Sequence, residues 1–149
     1  MKDQVMIGAF EDSHDATKKY LDVGFKFQVT DVKKPLLSVR RINEGGNVVQ
    51  FGPDDGDNFI LNKKTNDKVY LRKQNGVYLL DVMFPDGSWS EITVDSGAAD
   101  NVCPWGWAEC FNVQSIQAKD RINFAGPNGS PISHYGSKDV MVKAVSSSF

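Results

Sequence analysis

Asp95 is the residue of this chain best placed to do chemistry. It closes the apolar, β-favouring run Ile92-Thr93-Val94 and opens the turn Ser96-Gly97-Ala98. A strand therefore delivers a carboxylate into a loop whose glycine lets other backbone come close. A carboxylate held that way can take or give a proton. Asp-Ser-Gly also makes ordinary turns, so the assignment leans on what surrounds it. The other reactive residues have less around them. His14 lies among solvating residues and is read as an exposed side chain, and Asp100 as a loop carboxylate and not a second acid. Cys103 or Cys110 with His134 supplies the residue types of thiol catalysis, yet no flanking signature supports it. Two cysteines and two widely separated histidines offer no paired ligand spacing, so neither a metal site nor a cofactor is expected. The acidic stretch Asp54-Asp55-Gly56-Asp57-Asn58 lacks the downstream glutamate and the flanking helices of a calcium loop, and reads as a polar hairpin turn.

Positioning Asp95 falls to a series of short β-type segments. Phe25, Phe27 and Val29 alternate with Lys26, Gln28 and Thr30, the period of a half-buried strand, until Lys33-Lys34-Pro35 interrupts the ladder. Leu36, Val39 and Ile42 are spaced by three and followed by Gly45-Gly46, which predicts a helix of one or two turns with Arg40-Arg41 on its solvated face. Residues 48–51, 58–61, 68–71 and 76–84 are rich in β-branched and aromatic residues and separated by Gly, Asn, Asp or Pro, as in a β meander. Pro85-Asp86-Gly87 is a turn that leads through Trp89 into the Asp95 strand. Trp105 and Trp107 are expected to pack in a core or an interface. Arg121–Ala125 and Ile132–Tyr135 flank a hairpin at Pro127-Asn128-Gly129, Val140–Val145 is a strand, and 146–149 is expected to fray. Upstream, Val5–Phe10 fits a strand, and residues 11–21 a loop or a short helix.

With 149 residues, 40% of them hydrophobic, the chain is long enough for one core of its own. A formal net charge of -2 advertises no nucleic-acid partner. No run approaches the roughly 20 apolar residues of a membrane span. No signal-like segment follows Met1-Lys2-Asp3-Gln4, so a soluble, cytoplasmic protein with reduced cysteines is expected.

Two blocks of the chain resemble the halves of a retropepsin, the aspartic protease of retroviruses and retrotransposons, and most closely the copia-type retrotransposon proteins. Residues 88–145, with Asp95-Ser96-Gly97-Ala98, the hairpin at Asn128-Gly129 and His134-Tyr135-Gly136, resemble the N-terminal half with its active loop and flap. Residues 25–84, with Phe27-Gln28-Val29-Thr30-Asp31-Val32 and Leu36-Leu37-Ser38-Val39, resemble the C-terminal half. Most family members carry glycine where Ser38 falls. The halves stand in reversed order, as circular permutation would leave them, with the former ends joined near Pro85-Asp86-Gly87.

The resemblance implies an all-β fold: one retropepsin-like domain over 1–149, a closed barrel of mostly antiparallel strands with one short helix, circularly permuted. It implies an aspartic endopeptidase that hydrolyses extended polyprotein segments. Asp95, Ser96 and Gly97 would form the catalytic loop. Ala98, Val32, Leu36, Leu37 and the flap residues Pro127, Asn128 and Gly129 would contact the polypeptide substrate. Because the chain holds one such aspartate, a homodimer would be needed to pair two. A noncatalytic peptide-binding or assembly module on the same fold is the competing expectation.

Overall fold

Alternating apolar residues build most of this molecule from strands. The computed structural model describes residues 6–8, 18–115, 124–125, 129 and 131–148. In chain order these form β1 (Met6–Gly8), β2 (Lys18–Thr30), β3 (Leu36–Ser38), α1 (Val39–Glu44), β4 (Asn47–Gln50), β5 (Phe59–Asn62), β6 (Lys68–Tyr70), β7 (Arg72–Gln74), β8 (Val77–Met83), β9 (Trp89–Asp95), β10 (Val102–Pro104), β11 (Phe124–Ala125), β12 (Pro131–Ile132) and β13 (His134–Ser148). The fold is all-β apart from that one short helix.

Six strands close on themselves in the order β2-β10-β3-β9-β8-β13, and β13 returns to β2. The β2–β13 pair is a long antiparallel ribbon running from Thr30↔His134 to Lys18↔Ser148. The barrel closes where Lys143 and Ala144 meet Met83 and Val82. Two pairings are parallel, β3 with β9 and β10 with β2. Closure removes the exposed strand edges that would otherwise invite pairing with other chains. A separate three-stranded sheet, β4-β5-β6, packs its buried Ile60 and Val69 into the same hydrophobic cluster.

The period of two sets the interior. Leu80 and Val82, Ile92 and Val94, and Val140, Val142 and Ala144 face inward from three neighbouring strands, beside Phe27, Val29, Leu37 and Cys103. Each larger side chain of this set contributes about 1.5–3 kcal/mol by leaving water. Trp107 packs edge-on against Phe27 at 4.9 Å and Phe84 at 5.4 Å, and its indole N–H donates to Ser90 Oγ at 3.0 Å. Lys138 shares the inward face of β13 and is 2% exposed. Its ammonium donates to the carbonyls of Trp107 at 2.6 Å, Ala108 at 3.1 Å and Trp105 at 3.4 Å, so it ties down the segment after β10. Gly136 is needed nearby, because a β-carbon there would collide with the Gln114 carbonyl, which bridges to Ser137.

The turns follow their chemistry. At Pro85-Asp86-Gly87 the Gly87 N–H donates to the Phe84 carbonyl at 2.9 Å. The Ser88 hydroxyl, and then its N–H, hold the Asp86 carboxyl below its ordinary range. Asn75 and Gly76 both take positive φ, 52° and 80°, and join β7 to β8 in a two-residue hairpin. The 54–58 stretch is a turn in which buried Asn58 accepts from the Gly52 N–H at 2.7 Å.

Several elements differ from the expectations. Lys18–Leu21 is the start of β2 and neither loop nor helix, because β1 and β13 flank it with partners that local propensity does not see. Ser146–Ser148 does not fray for the same reason: Ser147 and Ser148 pair with Lys19 and Lys18. The helix starts at Val39, since Leu36 and Leu37 are drawn into β3 and Ser38 becomes the N-cap. Trp105 is 58% exposed and lies outside the core, edge-on to Tyr135 at 5.4 Å. Among the described residues no helix is long and apolar enough to cross a membrane.

Candidate active site

Asp95 is the last residue of β9, level with Ser38 on the parallel strand β3. Its carboxylate turns back on its own loop and accepts from the Gly97 N–H at 2.8 Å. A β-carbon on residue 97 would stand 3.3 Å from Asp95 Oδ1, a close contact that would push on the carboxylate. Ser96 and Gly97 are exposed, Asp95 and Ala98 half-buried. The carboxylate thus has a backbone donor on one oxygen and access to solvent.

Three anchors hold the loop to β3 and α1. The Ser38 hydroxyl, fully buried, donates to the Ala98 carbonyl at 2.7 Å and accepts from the Arg41 N–H at 3.3 Å as the helix N-cap. Serine at this position therefore serves two elements at once. Asp100 pairs with Arg41 at 3.1 Å. Through that hydrogen bond first, and Glu44 second, the Arg41 guanidinium is held above its ordinary range. Buried Asn101 is the third anchor: Oδ1 accepts from the Ser38 N–H at 2.8 Å, its amide donates to the Lys26 carbonyl at 3.1 Å, and its own carbonyl accepts from the Gln28 N–H at 2.8 Å. One side chain thereby fastens the loop to β2 and β3 together.

Asp95 and Ser96 open into a groove of about 440 Å³, lined also by Lys34, Leu36, Phe51, Gly76, Val77, Tyr78, Thr93 and Val94. Asp100 belongs to a different, polar groove with Lys26, Gln28, Arg41 and Glu44, consistent with a structural loop carboxylate. Of the residues expected to contact substrate, Leu36 lines the Asp95 groove. Its neighbour Leu37 points the opposite way and is fully buried in the core, as alternation along a strand demands. Val32 and Ala98 are half-buried and not among the groove's lining residues. Gly129 is exposed with φ 75°, beyond the paired strands β11 and β12. Pro127, Asn128 and His14 lie outside the described residues.

The thiols and histidine have other surroundings. His134 Nε2 lies 2.8 Å from Gln28 Oε1, buried and edge-on to Phe124. Both cysteines are free, Cys103 buried and Cys110 exposed. Burial pushes the Cys103 thiol up to about 11, with Lys138 opposing the shift. A native thiol reagent near neutral pH should label Cys110 quickly and Cys103 only after unfolding. The raised thiol also fixes a sign. Between pH 9 and 11 the unfolded chain loses a proton that the native chain keeps, so this group's contribution to stability falls by about 2–3 kcal/mol across that window. Denaturant titrations at pH 8.5 and 10.5, comparing wild type with Cys103→Ala, read it. Among the described residues no group of three or more histidine, cysteine, aspartate or glutamate side chains is arranged to hold a metal.

Asp95 and Leu36, both singled out in the sequence, line one groove, whereas nothing in the sequence singled out Asn101, Ser38 as a loop anchor, Arg41, Lys138 or the Phe51–Tyr78 wall. Comparisons with models of protein families, with curated proteins and with solved structures give no match.

Proposed function

We propose that the chain is an aspartic endopeptidase of retropepsin type, active as a homodimer in which two copies of Asp95 meet. The observation that carries this reading is the placement of Asp95: a strand-end carboxylate in a triply anchored loop, opening into a groove with apolar walls. One carboxylate takes a proton from a bound water, whose oxygen attacks the peptide carbonyl carbon. The other, protonated, donates to the carbonyl oxygen. Collapse of the tetrahedral intermediate breaks the C–N bond, and the nitrogen leaves with a proton. Two close carboxylates suit this because they do not both ionise easily and so share one proton. An exposed Ser96 can reach across a two-fold axis, and an extended peptide lies in the groove as a guest strand.

The permuted order is supported by one feature: Phe84–Ser88 is a tight hairpin where separate ends would be joined. The groove lies within a single chain, which favours as second reading a noncatalytic peptide-binding module. Incubation of purified protein with a peptide library from mildly acidic to neutral pH, alongside a size determination, separates the two. The protease reading predicts cleavage whose rate per chain rises with concentration as dimer forms. Peptide binding without cleavage by a stable dimer supports the module.

A further inference from the structure

We propose that Lys34 is a specificity-determining residue: the groove beside Asp95 selects an extended peptide that carries a bulky apolar side chain and, within two residues of it, an acidic one. The inference rests on reading this groove as a peptide site. Its wall is apolar and open. Phe51 and Val77 are 37% and 40% exposed, and the Phe51 and Tyr78 rings lie 4.2 Å apart, tilted by 33°. That surface favours an apolar side chain, which it can remove from water.

The charge in the groove is the more selective feature. Lys34 is exposed and belongs to the lining. Among the described residues no carboxylate lies within ion-pair distance of its ammonium, whereas Arg40, Arg41, Arg72 and Lys143 each have at least one. Lys73 lies outside that lining, its ammonium 5.7 Å from the Tyr78 ring centroid. An acidic side chain placed beside Lys34 supplies the counter-charge that Asp95, the carboxylate of the same lining, does not give at ion-pair distance, and a basic one placed there is repelled. In an extended peptide, side chains two residues apart share one face at a spacing of about 6.6 Å. One face of a guest strand can therefore present both groups to one wall.

The test is binding of fluorescent nonapeptides with a central phenylalanine and Glu, Gln or Lys scanned over the two positions on either side, to wild type, Lys34→Gln and Lys34→Glu. Fluorescence anisotropy reads affinity without requiring cleavage. Wild type should bind its best Glu peptide about three- to fivefold tighter than the Gln counterpart, with the Lys peptide weakest, the range of an exposed ion pair. Lys34→Gln should level the series, and Lys34→Glu should invert it. Equal affinities in wild type, an order unchanged in Lys34→Glu, or no binding at all overturns the proposal. Cleavage that ignores the acidic residue overturns the proposal and leaves the protease reading standing. Charge-selective binding without cleavage does the reverse.

Discussion

Asp95→Asn should abolish peptide cleavage, lowering kcat/KM by at least about 10³-fold, while the thermal midpoint stays within about 4 °C of wild type. Under the proposed mechanism an amide could neither take the proton from water nor hold the one shared with a second carboxylate. It can still fill the same space, and its oxygen can still accept from the Gly97 N–H, the hydrogen bond that the carboxylate makes at 2.8 Å. Asp95 forms no ion pair among the described residues and stands half-exposed at a strand end. The fold therefore loses little. A peptide-hydrolysis assay paired with a melting curve reads both halves. Residual cleavage within tenfold of wild type would remove Asp95 from the chemistry.

Asn101→Ala should have the largest effect on the fold, about 2–4 kcal/mol of stability and a midpoint lower by roughly 6–15 °C. The reason is the asymmetry of buried hydrogen bonds: truncation strands the buried Ser38 N–H away from water, at about 1–3 kcal/mol, and also removes the half-buried bond to the Lys26 carbonyl, about 0.5–1.5 kcal/mol. Both groups belong to strands beside the Asp95 loop, so activity should fall even where the barrel persists. Denaturant unfolding of the variant checks the stability, and cleavage well below its midpoint checks the loop. A loss below 0.5 kcal/mol, roughly the scale of an ordinary surface substitution, would contradict the role given to this side chain.

What the sequence discloses divides along a physical line. The Asp95 strand is legible because Ile92-Thr93-Val94 is a β-favouring run, all three of them buried, and that composition needs no knowledge of the partner strand. Pro85-Asp86-Gly87 and Gly45-Gly46 are legible because their turn chemistry is local, down to the positive φ of Gly46 and Gly87. The all-β class follows from such segments in series. Features fixed by partners far away in sequence are hidden. Ser38 and Asn101 meet across 63 positions, and Asn101 reaches Lys26 across 75. Nothing local distinguishes this asparagine from any other loop asparagine.

Helical spacing at Leu36, Val39 and Ile42 correctly marks the short helix but misplaces its start, for a related reason. Pairing of Leu36 with Thr93 and Leu37 with Val94 outweighs the propensity of a helix too short to stand alone. Lys138 is hidden by its charge: a lysine on the inward face of β13 contradicts the binary pattern until the carbonyls of Trp105, Trp107 and Ala108 are seen around its ammonium. The Lys34 groove is likewise assembled from β3, β8, β9 and the segment after β4, and no single stretch of sequence contains it.

In the proposed function two Asp95 carboxylates, one from each of two chains, act together on one peptide bond. The most direct measurement of this mixes wild type with Asp95→Asn at constant total concentration, above the dimer dissociation constant, and follows peptide cleavage after exchange. If both aspartates are required, an equal mixture should retain about one quarter of the wild-type rate, the fraction of dimers with two intact sites under random pairing. Retention of about one half would mean that each chain works alone, and no cleavage by wild type under any condition would mean that this carboxylate serves only to bind.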